Sequence, residues 1–280
     1  MNDFPAFVEI EGAPDAGVLF VCDHASNALP PDYGDLGLPP AERERHIAWD
    51  IGAADMTARL AERFNAPAVL SAFSRILIDP NRGEDDPTLV RRLYDGAVVP
   101  GNARVDAAEI EARKARFFRP YRAAILARIA AMSAARPPAI VSIHSFTPAM
   151  RGVVRPWEIG FLWDRDDRLA RPLIEAFRAM GVPTGDNEPY DGALEGDTID
   201  ATATALGLAN VLVEARQDLI ATRAGAHEWA DRLAAALAPL LERPEVRSVR
   251  FFGSRARERA PRCGGRGTPG VNCAESRARR

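Results

Sequence analysis

The chain has 280 residues, of which 47% are hydrophobic and 27% charged, with a formal net charge of −3. This is the composition of an ordinary soluble globular protein, long enough for a sizeable core and for one large or two small domains. No apolar stretch approaches the roughly 20 residues that cross a bilayer, and three cysteines make no disulfide framework.

Met1-Asn2-Asp3-Phe4-Pro5 has no basic region leading into an apolar core, so no signal peptide is expected and a cytoplasmic setting fits. The first strong element is the apolar run 18–21, the pattern of a buried parallel strand, which leads directly into Cys22-Asp23-His24-Ala25-Ser26-Asn27. A helix is predicted over 41–64, carrying His46 and Asp50, followed by strands over 68–70 and 75–78. The second of these runs into Asp79-Pro80-Asn81-Arg82. Ile110, Phe117, Tyr121, Ile125 and Ile129 keep helical spacing within 107–135, with Pro120 as a kink or break. Strands over 140–143, 159–163 and 210–213 and helices over 167–180, 198–206 and 221–241 complete the body.

This alternation predicts an α/β architecture with a largely parallel sheet. The polar loops 81–102 and 181–197 are long enough to be binding elements. One domain is expected over 1–253, followed by a disordered Arg/Gly-rich tail over 254–280. That tail has eight arginines and two glutamates, a net of +6, which leaves −9 for the body. An acidic body argues against nucleic acid as the main partner, the basic tail being the one feature in its favour. Cys263 and Cys273, with no histidine nearby, read as bystanders rather than a zinc site.

Polar residues at the carboxyl ends of parallel strands stand where open α/β sheets bind ligands. His24 follows the strand 18–21 and His144 follows 140–143, so two of the chain's four histidines meet one rim. Histidine nitrogen suits Zn²⁺, and a catalytic zinc takes three protein ligands and keeps its fourth position for water. Asp50, between Trp49 and Ile51, is the expected third ligand, with His46 in reserve. Asn81 and Arg82 offer a neutral donor and a planar fork for a carboxylate, and Arg75 a second cation for an acidic substrate. Glu214, at the end of the strand 210–213, is desolvated there, which raises its pKa toward that of a general base.

With these residues in hand, the chain resembles the N-formylglutamate amidohydrolase family. The resemblance rests on an ordered set of blocks: CDHASN (22–27), RHIAWDIGA (45–53), FSRILIDPNR (73–82), DDPTL (85–89), SIHSFTP (142–148), RPWEIGFLWDRD (155–166), GDNEPY (185–190) and VLVEARQDLI (211–220). The family is similar in turn to zinc carboxypeptidases and aspartoacylase-like deacylases. This implies a mixed, largely parallel sheet flanked by helices, of the phosphorylase/hydrolase-like kind. It also implies one Zn²⁺, or another divalent metal, held by His24 and His144, substrate gripped by Asn81 and Arg82, and Glu214 as base. Asn27 stands where the relatives have a ligating glutamate, which is why Asp50 takes the third position. The family's Arg-His pair after Gly196-Asp197-Thr198 is replaced by Ala201 and Thr202, a change expected to alter specificity or lower activity. The implied activity is hydrolysis of an N-acylated acidic amino acid such as N-formyl-L-glutamate, a small-molecule substrate. The alternatives are an amidase on another N-acyl amino acid or small peptide, and a weakened ligand-binding homologue.

Overall fold

The computed structural model describes residues 4–259. At its centre seven strands form one sheet: β1 (Phe7–Ile10), β2 (Val18–Cys22), β3 (Ala68–Ser71), β4 (Ala139–Phe146), β5 (Ile159–Leu162), β6 (Thr184–Asp186) and β7 (Asn210–Arg216). Their spatial order is β1-β3-β2-β4-β7-β5-β6, with β1 antiparallel to β3, β5 antiparallel to β7 and the other neighbours parallel. The sheet is therefore mixed and mostly parallel, as expected.

Strand side chains alternate between faces, and the two faces bury different cores. Phe20, Val141 and Val213 pack with Met56 and Leu60 of α1 (Ala53–Phe64), Phe177 of α4 (Ala170–Ala179) and Leu233 of α5 (Arg223–Leu241). On the other face Leu19, Val21, Ile140 and Leu212 pack with Phe117, Tyr121, Ile125 and Ile129. The last three belong to α3 (Arg119–Ser133), which continues from α2 (Ala107–Arg113) through the π-helical turn Lys114–Phe118. Pro120 neither breaks nor ends this rod. The Arg119 N–H reaches back to the Lys114 carbonyl, and the widened turn absorbs the ring where an ordinary helix would kink.

Two predicted elements differ in ways that build the site. The helix expected over 41–64 is only a turn at Pro40–Arg43 and then α1. Between them lies a loop that ends at Gly52, whose φ of +81° favours glycine and whose Cβ, if present, would lie 2.0 Å from the Ile220 carbonyl oxygen. That loop is tied to β2 and to residues 74–75, since Asp50 N–H donates to the His24 carbonyl and the Ala48 carbonyl accepts from Arg75 N–H and Ser74 Oγ.

The strand expected over 75–78 is a buried turn. Ile76 packs into a small cluster with Leu38 and Val99, while Leu77 and Ile78 join the second core. Its backbone bonds go to loops, with the Ile76 carbonyl accepting from the Asn102 side chain. Three successive apolar residues find burial here without a strand partner, which periodicity alone does not distinguish. The edge strands β1 and β6 are short and were not visible in the sequence pattern.

The body also extends further than expected. Ser254 is buried and Arg255–Arg259 form a short helix, α6. Arg255 pairs with Asp164 and Asp191, and Arg257 with Asp200, so the boundary drawn at 253 falls too early. Five of the eight tail arginines and both Cys263 and Cys273 lie outside the described residues. No helix of the described residues is long and apolar enough to cross a membrane.

Candidate active site

The site grows from the carboxyl ends of β2, β4 and β7. Ser142 and His144 lie on β4, on the same sheet face as Ile140, and Glu214 lies on β7, on the face of Leu212. The β4–β7 register pairs Glu214 with His144 directly. His24 stands just beyond the end of β2, and the loop before Gly52 brings Asp50 over both imidazoles. The ring centroids of His24 and His144 are 4.9 Å apart.

Asp50 Oδ2 is the point of convergence, 3.2 Å from His24 Nδ1 and 2.9 Å from His144 Nδ1. The opposite nitrogens are anchored. His24 Nε2 lies 2.7 Å from Asp79 Oδ1, and His144 Nε2 lies 3.0 Å from Asp23 Oδ2 and 3.1 Å from Ser142 Oγ. Asp23 also accepts from Tyr121 OH at 2.9 Å and Thr198 Oγ1 at 2.6 Å. Asp79 accepts from Asn81 N–H at 3.0 Å and from Arg75, whose other amino nitrogen donates to Asp50 Oδ1 at 3.2 Å.

All of these groups are buried. Burial raises the carboxyl of Asp50, but His24, His144 and Arg75 outweigh it and hold the group far below the usual carboxylate range. Asp23 and Asp79 are lowered in the same way, by His144 with His24 and by Arg75 with His24 respectively. Burial opposes charge on His144, yet its hydrogen bonds to Asp23 and Asp50 raise it to about 10. An ionised carboxylate only accepts, so each Nε2 carries a proton, and a metal ion at Nδ1 would displace any proton there and take the lone pair that faces Asp50.

Two lone pairs facing a carboxylate oxygen need protons or a cation between them. Charge makes the same demand: three buried carboxylates face one guanidinium in this network, leaving two negative charges for imidazole protons or a cation to balance. A divalent cation fits. Zinc–ligand bonds of about 2.0–2.2 Å put tetrahedral donor atoms roughly 3.3 Å apart, and donor atoms of His24, Asp50 and His144 all lie within 4.8 Å of one another. Carboxylates behind the histidines are the usual outer support of such a site.

Glu214 faces a cavity of about 460 Å³ that His24, Asp50 and His144 also line. Burial pushes its carboxyl up to about 8, against the pull of His144. Its Oε2 is buried and has no hydrogen-bond partner among the described residues. Asn81 and Arg82 line the same cavity, with Asn81 Oδ1 accepting from Thr198 N–H at 3.2 Å and Arg82 Nη1 donating to the Asn81 carbonyl at 2.8 Å.

Three expectations change. Arg75 lines the cavity, but both its amino nitrogens already hold Asp50 and Asp79. His46 does not reach the cluster and pairs instead with Asp95 at 3.3 Å. Ala201 and Thr202, which stand in place of an Arg-His pair, line a separate depression beside Glu84 and Leu126 and neither lines the cavity. Asn27 likewise turns away and donates to the Arg43 carbonyl.

Two supporting acids were missed. Asp23 and Asp79 each follow a buried apolar segment, the same signal that singled out Glu214. Asp79→Asn tests the support. Asparagine offers one acceptor oxygen where Asp79 uses two, so it cannot accept from both His24 Nε2–H and Arg75, and loss of an outer-shell partner of this kind typically costs about 10–100-fold in metal affinity. Competition with a chromophoric chelator reads the change.

Comparison with known proteins follows the same lines. The family model described as N-formylglutamate amidohydrolase matches residues 16–221. A gene product of Agrobacterium tumefaciens of known structure is 34% identical, with a TM-score of 0.79, over 84% of this chain and 94% of that one. N-formylglutamate amidohydrolase from Ralstonia eutropha JMP134 shares the fold at 20% identity and a TM-score of 0.62, over 84% and 97% of the two chains. Among curated proteins, none matches this chain.

Proposed function

Because the chain belongs to the N-formylglutamate amidohydrolase family, we propose that it hydrolyses the amide of an N-acylated acidic amino acid, with N-formyl-L-glutamate the expected substrate. The observation that carries this reading is the unpartnered Glu214 Oε2 in the cavity lined by His24, Asp50 and His144.

His24, Asp50 and His144 would hold one zinc ion through Nδ1, Oδ2 and Nδ1. Zinc there would supply Lewis-acid polarisation of the scissile carbonyl and acidify a water. Glu214 takes a proton from the attacking water and delivers it to the leaving nitrogen as the C–N bond breaks, yielding formate and the free amine. A buried carboxyl with its pKa lifted toward neutrality suits both halves of that transfer. Asn81 and Arg82 bind one substrate carboxylate and fix the amide against Glu214. Leu162, Phe146 and Leu212 on the cavity wall exclude bulk water.

The test is a panel of N-formyl and N-acetyl amino acids, assayed for released amine with chelator-stripped protein before and after one equivalent of zinc. The expected result is zinc-dependent release from N-formyl-L-glutamate. Turnover of only a different acyl group reassigns the substrate within the same chemistry. Binding of the panel without turnover at saturating zinc contradicts the proposal.

A further inference from the structure

Arg91 has no assigned role, yet it is the least committed cation in the cavity wall. It comes from the loop that leads into the small hairpin Leu93–Tyr94/Ala97–Val98. Its guanidinium carbon lies 4.3 Å from the centroid of the Tyr94 ring, and both residues line the cavity with Arg82. Arg75 approaches the same ring at 5.4 Å, so Tyr94 connects Arg91 to the side chain that holds Asp50 and Asp79.

The arginines differ in what they hold. Arg75 is neutralised by two aspartates. Arg82 is fixed by the Asn81 carbonyl and Thr88 Oγ1. Arg91 Nε, like Arg75 Nε, is buried with no hydrogen-bond partner among the described residues, but no carboxylate of the described residues lies at ion-pair distance from either Arg82 or Arg91. Burial depresses the pKa of Arg91 against the pull of Tyr94 and Asp79, as expected for a cation removed from water with no carboxylate in direct contact. One monoanion neutralises only one of these two guanidinium groups, so the wall is built for a second negative charge.

We propose that Arg91, seated on Tyr94, is the anchor for a second substrate carboxylate and sets the preference for N-acylated dicarboxylic amino acids over those with neutral side chains. Asn81 and Arg82 then take one carboxylate and Arg91 the other. A planar guanidinium fork provides two parallel bonds to a carboxylate, which a lysine at the same place does not.

The turnover arm of the test rests on the amidohydrolase reading, and the binding arm does not. Selectivity, as the ratio of kcat/KM for N-formyl-L-glutamate to that for N-formyl-L-norvaline, is measured for the parent, Arg91→Gln and Arg91→Lys. The expected result is a ratio about 10²-fold smaller in R91Q, carried mainly by KM, with R91K between it and the parent. An unchanged ratio, or a fall carried equally by both substrates, overturns the proposal. In parallel, calorimetry compares glutarate with butyrate on the zinc-loaded protein. Glutarate is expected to bind at least about tenfold tighter, and R91Q to lose that advantage. No advantage in the parent, or an advantage kept by R91Q, overturns the anchor. A parent that binds glutarate selectively but hydrolyses nothing contradicts the proposed function and leaves the anchor standing.

Discussion

Glu214→Gln lowers kcat by about 10³-fold while the protein keeps its metal. General-base groups contribute roughly 10²–10⁴-fold, and glutamine preserves the shape of the side chain but accepts no proton. Because Glu214 is not one of the three donors, metal content reads the integrity of the centre independently of the chemistry. A stability readout separates this role further. In metal-free protein the folded carboxyl titrates at about 8 against 4.5 for the free side chain, because burial disfavours its charge. Between those values the folded state keeps a proton that the unfolded state releases, so stability falls as pH rises across the window and stays lower above it. Glutamine has no such loss. E214Q is therefore expected to melt above the parent at pH 8, with the difference shrinking toward acid pH. Retained activity, or lost metal, contradicts the base assignment.

His144→Ala removes both metal and turnover. It takes one of three donors from the cation and leaves Asp23 and Asp50 without the imidazole that holds both. Metal-ion catalysis of this kind is worth several kcal/mol, about 10³-fold in rate at 1.36 kcal/mol per decade. Breaking one side of a buried charged network costs about 3–5 kcal/mol of stability, so a lower melting temperature accompanies the loss. His24→Gln provides the second variant, since it disturbs Asp79 rather than Asp23. Both are expected to bind less than about a tenth of an equivalent of zinc, read by elemental analysis, with hydrolysis falling in step. Full zinc content in either variant is inconsistent with a shared ion.

The central strands were legible because buried parallel strands are short apolar runs, and the residues that follow such runs stand at the ligand-binding rim. That reasoning located His24, His144 and Glu214, and Asp50 from its apolar setting. It did not foresee the hold of Arg75 on two aspartates, because a turn rather than a strand carries that side chain inward. The same apolar-then-acid signal was present at Asp79 and Asp23, but Asp79, between Arg75 and Arg82, reads equally as a surface pair until burial is known, and Asp23 reads only as part of a polar strand end. Arg91 and Tyr94 were beyond reach, since their meeting at the cavity depends on a two-residue hairpin inside a long polar loop. The resemblance to a family located the departure at Ala201 and Thr202, and only the fold shows that neither lines the cavity.

The most direct test is a crystal of the zinc-loaded protein with anomalous data collected across the zinc edge. One peak bonded to His24 Nδ1, His144 Nδ1 and Asp50 Oδ2, at about 2.0–2.2 Å from each, is the predicted result. A peak at any other side chains, or none at full zinc loading with Asp50 still hydrogen-bonded to both imidazoles, would contradict it.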